Sequence, residues 1–400
     1  MKCILHIGTE KTGTSVIQGW LYNSAEILEK EGIYTPRQFG RPNNWHFPVY
    51  FQESHDHYYL KKESVLSKPE KDAFFSDFSR NFRAEIDNAS GCSHFIISSE
   101  HFHSGLTKLD EIHTLKQFLS NYFNDIRVVC YFREQADMAI SRYSTFLKGA
   151  GMLELEDFTS DIMPENPYYN LLQMADKWST VFGQENCIFR IYDRTRFPDA
   201  DICKDFLNSL DIRMDNVDYL PMRHEKNKSL SRLQAKVFLE INRAIPYWQE
   251  SGGTDPYNVK LKNKILEIES LKGESLSELP MAKISDRFHE SNKELFRKYF
   301  PPGTSFEKNG GKFHKNQATH NEKADQIAKD LAKALLNEVA ELKGSLNIPE
   351  CASSPSEGIG SPNVEIPKLV SDTPHASNKA RESFLGLVVR RCMHLSITRK

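Results

Sequence analysis

Between Gly8 and Ser15 the chain gathers glycines, a lysine and a set of hydroxyl side chains: Gly8, Lys11, Thr12, Gly13, Thr14 and Ser15. That combination suits the binding of a phosphate-like anion. Lys11 brings a positive charge and the hydroxyls bring directed donors, while Gly8 and Gly13 let backbone N–H groups approach where a Cβ would block them. The competing reading is an ordinary buried strand and turn, Gly-rich for steric reasons alone. The convergence of charge, hydroxyls and glycines in so short a stretch weighs against it.

The flanking residues supply the elements such a loop needs. Cys3 to Ile7 is a short apolar run of strand type, and from Thr14 onward Val16, Ile17, Trp20 and Leu21 recur with helical spacing. A loop handing a strand to a helix N-terminus presents unpaired N–H groups and the positive end of the helix dipole to its guest. The nucleotide triphosphatase loop is a different one, because it requires Lys directly after the second glycine. Here Thr14 follows Gly13, and Lys11 lies inside the loop.

A second constellation lies at 130–151, CYFREQADMAISRYSTFLKGAG. An apolar strand delivers Arg133 to the edge of a sheet, and Ser141 follows about one turn into a helix expected to start near Ala136, so both can face one pocket. Arg gives a bidentate fork and Ser a directed donor. Read alone, Arg133 could equally be a surface ion pair. A third constellation is Ser98, Ser99, Glu100 and His101, a polar cluster that ends another buried strand within 94–102. Open parallel sheets place ligand-facing residues at such strand ends. Residues 38–60 form a segment crowded with aromatics and histidines, among them Trp45, His46, His55 and His57, and are expected to be a loop poorly explained by core packing.

The stretch HIGTEKTGTSVIQ resembles the 5′-phosphosulfate loop of sulfotransferases that use 3′-phosphoadenosine-5′-phosphosulfate (PAPS), in the form G-x-x-K-T-G-T-[ST], with Ser15 where Thr is frequent. Arg133 and Ser141 resemble the 3′-phosphate motif of the same family. Looser likenesses at 169–193 and 285–299 extend the resemblance over roughly 1–306. It is closest to the bacterial carbohydrate-sulfotransferase type.

The resemblance implies that PAPS is the sulfuryl donor, held by Gly8, Lys11, Thr12, Gly13, Thr14, Ser15, Arg133 and Ser141. Lys11 would stabilise the leaving phosphate oxygen, and a base would take the acceptor's hydroxyl proton. Glu100 is the first candidate for that base, His46 the rival, and His101 a third; Arg223 with Asn227 is the guess for a further 3′-phosphate contact. Transfer would be in line, without covalent intermediate or metal. The acceptor implied is a carbohydrate or glycoconjugate, a glycan or a glycolipid, whose faces the aromatics of 43–59 could stack. The alternatives are a P-loop nucleotide-dependent kinase, which lacks its Lys here, and a non-catalytic nucleotide-binding scaffold, which the intact Lys11, Arg133 and Ser141 oppose.

Strand-like runs alternate with helical ones through the first two hundred residues, which implies an α/β fold with a mainly parallel sheet. The resemblance adds a P-loop-like, three-layer arrangement with helices on both faces, and a helical C-terminal extension follows. Helices are expected at 70–90, 109–124, 136–149, 168–182 and 201–210, and 229–300 reads as mostly helical. The expected division is a PAPS-binding domain at 1–310, a helical extension at 311–346, and a Ser/Pro-rich linker with a basic amphipathic tail at 347–400. That tail could lie on an anionic membrane or dock on a partner.

Formal net charge is only -2, so there is no global field favouring nucleic acid and an anion site must be a local arrangement. Seven scattered cysteines show no CxxC pair and no metal-ligand spacing, which reads as reduced, buried thiols. The N-terminal apolar run is too short for a signal peptide and no long apolar window exists, so the expected location is the cytoplasm.

Overall fold

Runs such as CILH and VVCYF form central strands because every side chain on them finds apolar cover, on one face or the other. A computed structural model of the protein describes residues 1–213, 229–249, 253–268, 271, 276, 278–306 and a few positions between 326 and 337. Its strands are β1 (Lys2–His6), β2 (Ile33–Tyr34), β3 (His94–Ser98), β4 (Asp125–Phe132) and β5 (Cys187–Ile191). They form one sheet in the order β2-β3-β1-β4-β5, with every neighbouring pair parallel. β1 is central. Its Leu5 lies beside Ile97 of β3 and Val128 of β4, so the strand ends come out side by side.

Helices α1 (Thr14–Asn23), α2 (Phe78–Asn88), α3 (His101–Gly105), α4 (Leu109–Ser120), α5 (Gln135–Lys148), α6 (Leu171–Phe182) and α7 (Ile202–Ser209) complete the layers. Cys3, Leu5, Phe95, Ile97, Val128 and Cys130 pack with Phe82 of α2, Leu115 of α4 and Trp178 of α6. The alternate residues Ile4, Ile96, Val129 and Tyr131 pack with Ile17 and Trp20 of α1 and Phe206 of α7. Two opposite faces are thus buried, each large apolar side chain contributing roughly 1.5–3 kcal/mol. This is a three-layer α/β architecture with a parallel sheet.

The expected 70–90 helix is broken in two, Lys68–Phe74 and α2, and the first piece starts at a capping box between Ser67 and Glu70. The segment 38–60 corrects its expectation. It carries short helices at His46–Phe51 and Tyr58–Lys62, and Phe39, Trp45, Phe47, Val49 and Phe51 are buried. Phe39 and Phe47 meet Phe82 edge-on, and Phe82 meets Phe95 of β3. Its aromatics therefore extend the core past the two-residue edge strand, which is too short to cover that side itself.

The described residues group into two compact units. One draws on Met1–Thr145, Glu154–Ser229 and Ser277–Ala318 and contains the sheet; it includes the helix α10 (Glu278–Tyr299). The other draws on Phe146–Leu153 and Leu230–Leu276, with α8 (Arg232–Ala244) and α9 (Pro256–Glu267). Within the second unit Asn242 donates to the carbonyls of Leu147 and Gly151, and Lys262 to those of Lys148 and Gly149. The linker and tail, and most of the expected helical extension at 311–346, lie outside the described residues. Cys3, Cys92, Cys130, Cys187 and Cys203 are unpaired, and burial pushes the thiols of Cys3 and Cys130 up. Among the described residues no helix is long and apolar enough to cross a membrane.

Candidate functional site

The loop after β1 is held on both sides before it turns. Ser99 N–H donates to the carbonyl of His6 on one side; on the other Ile7 N–H donates to Val129, Tyr131 N–H to Gly8, and Thr9 N–H to Tyr131. The ladder with β4 therefore runs on to Thr9. The chain then turns through Lys11 (φ 66°) to Gly13 (φ 77°), the N-cap of α1. Glycine is needed at both ends. A Cβ on Gly8 would lie 3.3 Å from the Cα of Glu100, and one on Gly13 would lie 3.0 Å from the ring of Tyr192, each at a positive φ.

Thr12 is fully buried and its hydroxyl donates to the carbonyl of Thr9 at 2.5 Å, so its hydrogen is committed to the shape of the loop. Thr14 is also buried, and Ser15 is exposed. Both belong to the first turn of α1, whose N–H groups have no intrahelical acceptors. The loop thus offers backbone donors and the Lys11 ammonium to an anion.

Arg133 stands beside that loop, and Ser141 lies one helical turn before a residue that touches it. Arg133 follows the end of β4, and its guanidinium donates to the carbonyl of Lys11 at 3.1 Å, lies 3.8 Å from Asp137, and sits 5.7 Å from the centre of the Tyr192 ring. Ser141 lies in the second turn of α5, where Thr145, one turn on, donates to its carbonyl. Lys11 Nζ in turn donates to Thr145 Oγ1 at 2.8 Å. Two stretches more than a hundred residues apart are joined by these bonds.

Glu100, just past β3, abuts Gly8 from the opposite side. Its Oε2 accepts from Gln18 Nε2 of α1 at 2.6 Å, and its Oε1 lies 3.8 Å from His101 Nε2. His101 also lies 3.3 Å from Asn43 Nδ2, which donates to the Tyr59 hydroxyl, and it meets the His57 and Tyr59 rings edge-on. Burial, with a smaller effect from His101, lowers the His57 pKa to about 4. His46 is elsewhere, edge-on to Phe39, Trp45, Phe74 and Phe75, and burial lowers its pKa to about 4. Arg223 and Asn227 lie outside the described residues.

Several residues at this site escape sequence reasoning. Thr145 and Gln18 were findable, being one turn beyond Ser141 and Thr14 on their helices. Tyr192, Glu10, His103, Tyr168 and Arg142 carry no local signal. Glu10 accepts from the Tyr168 hydroxyl at 2.8 Å. Burial alone would raise its pKa, but its interaction with His103 and hydrogen bonds from Tyr168 and Ser104 bring it below the usual carboxylate value.

No family model matches the chain. It is 29% identical over 215 residues to an uncharacterised protein of Archaeoglobus fulgidus, a match spanning 53% of this chain and 55%, about half, of that relative's length. Among solved structures it is similar to a sulfotransferase from Alicyclobacillus acidocaldarius, at 16% identity and a TM-score of 0.38 over 60% of this chain and 91% of that one. It is also similar to the sulfotransferase domain of the Synechococcus PCC 7002 olefin synthase, at 11% identity and a TM-score of 0.33 over 72% and 94% of the two chains. A third likeness is to the sulfotransferase domain of the curacin biosynthetic pathway, at 10% identity and 0.32 over 72% and 97%. Chains this distant fix neither a residue role nor a substrate for this one.

Proposed function

We propose that the protein is a PAPS-dependent sulfotransferase that transfers a sulfuryl group to a hydroxyl of a carbohydrate or glycoconjugate. The observation that carries this reading is the pair of bonds from Arg133 to the Lys11 carbonyl and from Lys11 Nζ to Thr145. They join a cationic strand-to-helix loop to the arginine that follows the neighbouring strand β4 and to Thr145, on the helix that carries Ser141. A donor with anionic groups on the 3′ and 5′ oxygens of one ribose needs two anion sites so joined.

The residues present fit such a donor. Gly8 and Gly13 hold the loop at positive φ, where a Cβ would also crowd Glu100 or Tyr192, and Lys11 and Arg133 supply the charge. PAPS when bound would supply the sulfuryl group, with the 5′-phosphate of 3′-phosphoadenosine-5′-phosphate as the leaving group. The N–H groups of 13–15 and Lys11 would hold that group, with Lys11 opposing the charge that grows as the bond breaks. Arg133 and Ser141 would hold the 3′-phosphate. Glu100, steadied by Gln18, would take the proton from the acceptor hydroxyl.

Support for a polyhydroxylated acceptor comes from the polar wall beside Glu100, where Asn43, His57, Tyr59 and His101 gather amide, imidazole and phenol groups. Trp45 is packed away from this role, stacked on Tyr59 and only 6% exposed. Calorimetry with 3′-phosphoadenosine-5′-phosphate, ATP and GTP tests the reading. The bisphosphate should bind, and ATP and GTP should bind far more weakly; tighter binding of a triphosphate would favour a kinase, and no binding of any would refute a nucleotide site. Transfer from PAPS to a panel of neutral glycans and glycolipids then identifies the acceptor class.

A further inference from the structure

Three hydrogen bonds close a ring next to Lys11. Glu10 N–H donates to His103 Nδ1 at 3.4 Å, His103 Nε2 bonds the Tyr168 carbonyl at 2.8 Å, and the Tyr168 hydroxyl donates to Glu10 Oε2 at 2.8 Å. The partners fix the tautomer of the imidazole. A backbone N–H can only donate, so Nδ1 is bare; a carbonyl can only accept, so Nε2 carries the hydrogen. His103 is buried, and that burial lowers its pKa, keeping this neutral form at neutral pH. From α5, the Arg142 guanidinium lies 4.5 Å from the centre of the Tyr168 ring and donates to the Tyr169 hydroxyl, which steadies the far side of the ring.

What the ring holds is a backbone that does not hold itself. Lys11 has a φ of 66°, a conformation that costs a residue with a side chain on the order of 1 kcal/mol or more and persists only where its surroundings determine it. Arg133 fixes the Lys11 carbonyl on the C-terminal side. The Glu10 N–H and carboxylate are fixed on the N-terminal side by His103 and Tyr168. A clamp on each side of one strained residue fixes the direction in which the Lys11 Cα–Cβ bond leaves the loop, and Thr145 receives the far end of the side chain.

We propose that His103 is a positioning residue: through its bare Nδ1 it orients the Glu10 peptide, and with Tyr168 it holds Lys11 in the geometry that receives the donor's anionic group. This role rests on the sulfotransferase reading for its consequence in catalysis, but the clamp itself does not. His103→Asn places an amide oxygen where Nδ1 stands and keeps the acceptor for Glu10. His103→Gln places its amide nearer Nε2 and loses it. Tyr168→Phe removes one hydroxyl from the ring and little else.

The experiment measures 3′-phosphoadenosine-5′-phosphate affinity, turnover with PAPS, and deuterium exchange of a peptide spanning 7–13 in wild type and the three variants. His103→Gln should weaken affinity and turnover by about tenfold, the value of one lost hydrogen bond at a buried site, while His103→Asn stays within a few fold of wild type. Tyr168→Phe should speed exchange of the loop peptide. Equal effects of Asn and Gln at 103 would overturn the proposal, as would unchanged loop exchange in Tyr168→Phe. The exchange measurement needs no ligand. If wild type fails to bind the bisphosphate, the sulfotransferase reading falls and the clamp is still decided; if both His103 variants fail to fold, Tyr168→Phe decides alone.

Discussion

Lys11 Nζ donates to Thr145 Oγ1 at 2.8 Å, so the cation of the loop rests on the helix that carries Ser141. Its backbone, by contrast, is tied to Arg133 through the carbonyl. Removing the side chain therefore leaves the loop's backbone bonds in place. Lys11→Ala should keep the melting temperature near that of wild type and lower turnover by roughly 10²–10³, the usual loss when one preorganised group stops stabilising developing charge. Turnover with PAPS in the purified variant checks this; near wild-type turnover would remove Lys11 from the chemistry.

Arg133 and Ser141 should differ in what their loss does. Ser141 has only a donor to offer the 3′-phosphate, so Ser141→Ala should weaken binding of the bisphosphate and leave turnover at saturating PAPS unchanged. Arg133 also holds the Lys11 carbonyl. Arg133→Ala should weaken binding more, by about 1.5–3 kcal/mol for a charge-assisted contact, and should lower turnover too. Calorimetry beside saturating kinetics separates the two effects, and bisphosphate binding unchanged in both variants would put the 3′-phosphate elsewhere.

The parts of this site legible in the sequence are those carried by local order. Gly8, Lys11 and Gly13 announce a turn between an apolar run and a helical one, and Arg133 stands where an apolar run ends; each needs only its neighbours to be read. His103 and Tyr168 are brought to Glu10 by the order of the sheet, which sets β3 and β4 on either side of β1, and no spacing within the chain encodes that. The aromatics of 38–60 misled for a related reason. A segment dense in Phe, Trp and His reads as a binding surface until Phe82 and Phe95 are known to meet it. Helix ends were off by a few residues, as at Tyr168, which was expected to begin the helix that starts at Leu171.

The second unit predicts a dependence on pH. Lys262 is buried, and its ammonium meets the carbonyls of Lys148 and Gly149 and lies 4.8 Å from the centre of the Tyr247 ring. Burial lowers its pKa from 10.5 to about 7. Between those values the unfolded chain binds the proton and the folded one does not, so stability rises with pH across that window, and below it the penalty is present in full. Lys262→Met removes the group. The stability difference between wild type and this variant should therefore shift in favour of wild type as pH rises from about 7 toward 10, read as the change in urea midpoint; a difference flat with pH would mean that the two carbonyls hold the ammonium charged throughout.

The base is the remaining choice, and the environments of the candidates separate them. His46 starts with the advantage of an imidazole, yet it is surrounded by Phe39, Trp45, Phe74 and Phe75, and burial takes its pKa to about 4, which makes it a weak base. Its replacement should cost stability before it costs catalysis, so His46→Ala should lower the melting temperature and leave turnover of the folded fraction within a few fold. Glu100 has Gln18 on one carboxylate oxygen and His101 3.8 Å from the other, and it backs onto Gly8 at the mouth of the loop. Glu100→Gln keeps an acceptor for Gln18 while removing the basicity, so the fold and bisphosphate affinity should hold. Turnover should fall by about 10²–10⁴, the range for losing a general base. His101→Gln provides the comparison: a loss of turnover in that variant exceeding that of Glu100→Gln, with bisphosphate affinity kept in both, would make the imidazole the base and Glu100 the residue that orients it.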